Sequence, residues 1–216
     1  MFNKIKIITI ISLIFASLAA PSEAANNALF DTVEFKSKSL KSVPKWTEIL
    51  DKMVTEKQQV ETCKENISSC ENRFYKQWLR FIAKAKTIQD KELLLDEVNS
   101  FFNDWEYILD IDNWGMSDYW EIPSEFLEMS GDCEDYSIIK YYTLRKLGYK
   151  ADQLRLVVLK DTVRNGAHAV LAVYEGDSIY ILDNLSTIAL TDDLLTQYVP
   201  YYSINEDYKW VHFKKM

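Results

Sequence analysis

Gly131-Asp132-Cys133-Glu134-Asp135-Tyr136-Ser137-Ile138-Ile139-Lys140-Tyr141-Tyr142-Thr143-Leu144-Arg145-Lys146-Leu147-Gly148 reads as one helix that opens on a cysteine and stops at a glycine. Carboxylates stand immediately before the cysteine and at the two positions after it. Beyond Gly148 the hydrophobic period changes to two. Residues 154–159, 167–174 and 178–183 read as strands rich in Val, Leu, Ile and Tyr, and Glu175-Gly176-Asp177 suits the hairpin turn between the last two. Residues 191–197 read as a short helix, and 198–203 and 208–213 as two further strands.

Upstream of the cysteine the period is helical. Residues 45–62 repeat Trp46, Ile49, Leu50, Met53 and Val54, and residues 71–86 repeat Phe74, Trp78, Phe81, Ile82 and Ala85. Asp90 is placed to cap a third helix lined by Leu93, Leu94, Val98, Phe101, Phe102 and Trp105. These aromatic stripes read as core. Residues 25–44 read as an extended lead-in ending at Pro44. Residues 110–130 read as a long loop carrying Trp114, Tyr119 and Trp120, of the kind that usually lies against a site. Helices first and antiparallel strands second predict an α+β fold, with residues 25–216 as a single domain and a helical N-terminal lobe over about 45–109.

The first 24 residues have the pattern of a secretory signal peptide: Lys4 and Lys6, an apolar run from Ile7 to Ala20, and a small-x-small ending. The run falls short of the roughly 20 apolar residues of a spanning helix; an uncleaved anchor is the alternative. Cleavage would remove Lys4, Lys6 and Glu23 and move the net charge from −8 to −9. The mature chain is therefore expected to be exported, to the periplasm under the resemblance described below, with no direct membrane insertion. So acidic a chain has no electrostatic footprint for nucleic acid. Hydrophobic residues at 48% allow a sizeable core.

The cysteines are Cys63, Cys70 and Cys133. Cys63 and Cys70 are the natural disulfide pair, but on one straight helix they would rise about 10.5 Å apart, beyond the roughly 4.4–6.8 Å a disulfide spans. Bridging needs a turn, for which Asn66-Ile67-Ser68-Ser69 has the chemistry; two reduced thiols are the alternative. Either way Cys133 is the odd thiol, which in an exported chain suggests reactivity.

A thiolate at a helix start is a nucleophile in search of a base, and the chain offers only His168 and His212. His168, early in a strand between small residues, is the better candidate. Asp183 ends the next strand, about 4.8 Å away in an antiparallel pair, close enough to orient the imidazole as the third member of a triad. A structural thiol, a strand histidine and a turn aspartate are the bland alternative. The acids pose a problem, because Asp132, Glu134 and Asp135 should raise the pKa of the thiol. A hard divalent cation held by their oxygens would cancel the repulsion, and Ca²⁺ is the expected ion outside the cytoplasm. Ca²⁺ takes about six to eight oxygens, so a further carboxylate is needed, with Asp118 the candidate. Complementing the helix dipole alone is the alternative reading of the acids. The backbone N–H of Cys133 suits one oxyanion donor; Trp114, Trp120 and Asn184 are candidates for the second.

The cysteine segment 131–148, with Ala167-His168-Ala169-Val170-Leu171 and Leu182-Asp183-Asn184, resembles the bacterial transglutaminase-like cysteine protease family, and within it the LapG-type periplasmic proteases of biofilm adhesins. The likeness covers roughly residues 75–213. It implies a papain-like or transglutaminase-like core, with the nucleophile helix packed on the antiparallel sheet. It implies Cys133, His168 and Asp183 as catalytic residues and Asp118, Asp132, Glu134 and Asp135 as calcium-binding acids. It also implies calcium-dependent cleavage of a large LapA-type surface adhesin near its N-terminus, which would release the adhesin and promote biofilm dispersal. Sequestration by a LapD-type inner-membrane receptor that senses cyclic di-GMP would control the cleavage. Two rivals use the same residues: a transglutaminase or acyltransferase, and a catalytically silent calcium-dependent binding module.

Overall fold

The computed structural model describes residues 28–68 and 70–215. The expected signal peptide lies outside the described residues, as does Ser69 of the expected turn. Helix α1 (Pro44–Glu65) starts with proline in its first turn, where a missing N–H costs nothing. Helix α2 (Arg73–Ala85) is capped by Asn72, whose side chain accepts from the N–H groups of Phe74 and Tyr75 at 2.9 and 3.0 Å. Helix α3 (Lys91–Asn103) is capped by Asp90, which accepts from the Leu93 N–H at 3.0 Å. Two short helices, α4 (Asp110–Asn113) and α5 (Pro123–Met129), precede α6 (Cys133–Leu147), and Gly148 ends α6 in the left-handed conformation.

Seven strands follow the order β1-β7-β6-β2-β3-β4-β5, every neighbour antiparallel. They are β1 (Thr32–Ser37), β2 (Leu154–Asp161), β3 (Gly166–Glu175), β4 (Ser178–Leu182), β5 (Leu190–Thr191), β6 (Tyr198–Ile204) and β7 (Lys209–Lys214). The central strands are apolar on both faces because each face is covered. Leu156, Leu171, Val173 and Leu182 meet Trp46, Trp78, Phe102, Ile139 and Leu144 on the helix side. Val157, Leu159, Val170, Ala172 and Ile181 form a second core with Leu29 and Tyr198 on the other. Helix α6 lies against β3 and β2, so the helix that opens on Cys133 does pack on the antiparallel sheet and the α+β class holds. Among the described residues no helix is long and apolar enough to cross a membrane.

Three expectations are corrected. The lead-in contains strand β1, paired with β7 from Thr32↔Lys214 to Ser37↔Lys209. Its apolar residues Val33 and Phe35 are exposed, so no buried face marked the strand in the sequence. The loop over 110–130 holds α4 and α5, both too short to display a helical period. The helix expected over 191–197 is a single 3-10 turn, Asp192–Leu194, preceded by β5.

Cys63 and Cys70 form a disulfide with Cα atoms 4.8 Å apart. Helix α1 ends at Glu65, and the chain turns back so that the Cys70 N–H bonds the Asn66 carbonyl at 3.1 Å. The turn removes the helical rise that kept the pair apart and settles the question against two free thiols. Closing so short a loop is worth about 2–3 kcal/mol through the unfolded chain. Cys63→Ser/Cys70→Ser should lower the unfolding free energy by about that amount in urea titration, and reductant should reproduce the loss in the wild type.

Candidate active site and acid cluster

The start of α6 is fixed by Asp135. One carboxylate oxygen accepts the Asp132 N–H at 3.0 Å, closing the first turn, and the other accepts the Glu121 N–H at 2.8 Å. The second bond ties the segment before α5 to the cysteine. Gly131 permits this approach, because an added Cβ would overlap the Asp135 carboxylate. Ser137 Oγ donates to the Cys133 carbonyl at 2.9 Å.

Strand β4 ends at Leu182, opposite Leu171. Residues 166–170 of β3 therefore pair with β2 on one side only. Cys133 comes to the open side, near enough to the Ala169 backbone N–H for that group to oppose the rise in the thiol pKa. Ala169 follows His168, whose Nε2 lies 2.9 Å from Asp183 Oδ1. With Nε2 committed to Asp183, Nδ1 is the nitrogen left for proton transfer. Asp183 Oδ1 also accepts the Leu185 N–H at 3.0 Å, and Oδ2 accepts the Tyr198 hydroxyl at 2.5 Å. Burial alone would raise the Asp183 carboxyl, but the bond and charge of His168, with Tyr198 and Leu185, outweigh it and hold the group below its usual range. Tyr198 was absent from the sequence candidates, and its position in a strand of mixed residues gives no signal. His212 is elsewhere, bonded to Thr32 Oγ1 at 2.9 Å and Ser203 Oγ at 2.8 Å. Burial pushes it down to about 4, so it is neutral at pH 7.

Around the thiol the carboxylates fall into three overlapping groups, each with ligand atoms within 4.8 Å of one another. Asp132 and Glu134 flank the Cys133 sulfur. Asp110 and Asp118 meet Glu134, and Asp110 meets Asp132 and Asp135. The four acids expected from the sequence are thus adjacent, and Asp110, at the start of α4, joins them. In the sequence Asp110 read only as a turn residue. Asp118 is the exposed member, with a side chain 59% accessible and paired to Lys45. The others are at least half-buried, and among the described residues Asp110 Oδ1 and Asp132 Oδ1 have no hydrogen-bond partner, nor does Oε2 of the neighbouring Glu121. Trp114 Nε1 donates to Glu121 Oε1 at 2.5 Å and is not free to serve an oxyanion.

Burial first, and then mutual repulsion, raises these carboxyls: Glu121 to about 8, Glu134 to about 9, and Asp110 and Asp135 upward as well. The Cys133 thiol is pushed well above its ordinary value, by burial and then by the charges of Glu134 and Asp132, and it donates to Glu134 at 3.3 Å. An all-oxygen cluster with orphaned buried lone pairs is a fitting seat for a hard divalent ion.

Comparison with known proteins places these features in context. The sequence profile of the bacterial transglutaminase-like cysteine proteinases (BTLCP) matches residues 52–216. Among solved structures, calcium-bound LapG of Legionella pneumophila is 34% identical, with a TM-score of 0.62, over 70% of this chain and 87% of that one. A second structure of the same protein gives 34% and 0.61 over the same shares. Its EGTA-treated form gives 32% and 0.62 over 73% and 87%. No curated protein matches the sequence significantly.

The raised carboxyls set the pH dependence of the metal-free fold. A carboxyl whose pKa is higher folded than unfolded stabilises the fold when protonated, and that contribution is lost as pH rises through the folded value. In excess chelator the melting temperature should therefore rise as pH falls from about 9 toward about 5, between the raised values and the ordinary carboxylate range. Calorimetry across that range checks it; a melting temperature that falls as the pH is lowered over the same interval would contradict it.

Proposed function

The chain belongs to the bacterial transglutaminase-like cysteine proteinases, and on that premise we propose that Cys133, His168 and Asp183 form its catalytic triad, with Ca²⁺ held by the adjoining acids. The observation that carries the triad is the 2.9 Å bond between Asp183 Oδ1 and His168 Nε2 on β3, the strand against which the helix opening on Cys133 packs.

In the proposed reaction His168 Nδ1 takes the proton from Cys133 as the sulfur attacks a peptide carbonyl carbon. The backbone N–H of Cys133, at a helix start where N–H groups lack intrahelical partners, would serve as one donor to the oxyanion. His168 then gives its proton to the leaving amine, and the C–N bond breaks to leave a thioester. A water, deprotonated by His168, cleaves the thioester and regenerates the thiol. Asp183 holds the imidazole in the tautomer with Nε2 protonated and stabilises its charged form, and Tyr198 fixes Asp183. Asp110, Asp118, Asp132 and Glu134 would hold Ca²⁺, with Asp135 bracing the turn that gathers them. Held there, the ion would supply positive charge beside the sulfur and would offset the repulsion that keeps the thiol protonated.

The substrate we propose is the N-terminal region of a large LapA-type surface adhesin, met in the periplasm after export. The cleavage would release the adhesin and disperse a biofilm, under a LapD-type cyclic di-GMP receptor that sequesters the protease. Likeness to LapG over most of the chain supports this reading.

Incubation with the N-terminal region of a co-encoded adhesin tests it. Wild-type protein with Ca²⁺ should yield two fragments with new termini in mass spectrometry, and excess chelator should suppress them reversibly. Cys133→Ala should yield none while retaining the wild-type fold by circular dichroism. Asp183→Ala should slow cleavage about 10²–10⁴-fold. Cross-linked product would instead favour the acyltransferase, and full cleavage by Cys133→Ala would overturn the triad.

A further inference from the structure

Lys140 is a fully buried ammonium that the reaction above does not use. It lies seven residues, or two turns, after Cys133 on the same face of α6. Its Nζ donates to Asn99 Oδ1 at 2.8 Å and Asn103 Oδ1 at 2.7 Å, both on α3. The two amides pass the contact on. Asn103 Nδ2 donates to the Asp183 carbonyl at 2.9 Å and to the Ser186 carbonyl at 2.7 Å, and Asn99 Nδ2 donates to the Ser186 carbonyl at 2.7 Å. Asp96, on the same side of α3, accepts the Ala189 N–H at 2.7 Å. A polar row at spacings of three and four residues thus grips the segment that begins with Asp183.

The orientation of this network is dictated by chemistry. The Asp183 and Ser186 carbonyls can only accept, so each asparagine must turn its NH₂ toward them and its oxygen toward α6. Only a donor can meet those oxygens, and Lys140 is that donor. An apolar side chain at position 140 would leave both oxygens buried without partners and the amides free to rotate. Burying an ammonium among neutral groups is costly, as the drop of Lys140 to about 7 reflects, with burial lowering it and the charge of Asp183 opposing. Packing alone does not call for that cost. What the lysine adds is a fixed distance between the helix that carries the nucleophile and the turn that carries Asp183.

We propose that Lys140 is a positioning residue which, through Asn99 and Asn103, locks the Asp183–Ser186 turn to the nucleophile helix and so aims the Asp183 carboxylate at His168. The proposal rests on the triad reading. The chain has only two histidines, so the imidazole N–H proton of His168 can be assigned in NMR spectra by its loss in His168→Ala. In Ca²⁺-containing buffer, Lys140→Met and Asn103→Ala should each shift or broaden that resonance. Each should also slow alkylation of Cys133 by iodoacetamide about tenfold or more, while circular dichroism remains that of the wild type. Should Lys140→Met fail to fold, Asn103→Ala, altered at a half-buried position, carries the same two readouts. A folded variant that keeps the wild-type His168 resonance would overturn the proposal, leaving Lys140 a structural residue. If His168→Ala alkylates at the wild-type rate, the triad reading fails, and the resonance alone then decides whether Lys140 aims Asp183.

Discussion

Both oxygens of Asp135 are held by backbone N–H groups, one from Asp132 on its own first turn and one from Glu121 across the site. That pair of bonds starts helix α6 and pins the preceding segment against it. The site follows from this constraint. Gly131 must lack a side chain to admit the carboxylate, and the 110–121 segment is brought back so that Asp110 and Asp118 meet Glu134. The same helix, lying along β3, carries Cys133 to the open edge where His168 and Ala169 wait.

Gathering carboxylates in this way sets two effects on the thiol against each other. A helix N-terminus favours negative sulfur by about 0.3–1 kcal/mol, somewhat more when partly buried. A single carboxylate at about 4 Å opposes it by about 4 kcal/mol at an effective dielectric constant of about 20, and here two flank the sulfur. Repulsion wins, and burial adds to it, which is why the free thiol is held protonated. A cation among the acids would reverse the balance for Cys133 and for the orphaned oxygens of Asp110 and Asp132 together. In this account calcium is a condition of reactivity as well as a brace for the fold.

Much of this was legible in the sequence, and the parts that were not share a cause. Helix α6 announced itself through its acidic start and glycine stop, and β2 to β4 through runs rich in Val, Leu, Ile and Tyr with a Gly-containing turn between the last two, because those patterns are local. Asp135, Asp132 and Glu134 adjoin the cysteine in sequence, so their place in the site could be inferred. Asp110 lies over twenty residues away, and nothing in its spacing separates it from Asp112. Tyr198 and Lys140 were invisible for the same reason, since their importance lies in partners across the fold. Strand β1 escaped notice because it is an edge strand whose apolar residues face solvent, and α4 and α5 because a few residues cannot show a period.

The central claim is that a cation in the acid cluster makes Cys133 reactive. The most direct measurement is the rate of Cys133 alkylation as a function of pH, in Ca²⁺ and in excess chelator, on the protein with its Cys63–Cys70 disulfide intact. The account predicts that Ca²⁺ moves the alkylation profile to lower pH by about one unit or more, equivalent to about 1.4 kcal/mol. Superimposable profiles in Ca²⁺ and chelator would contradict it.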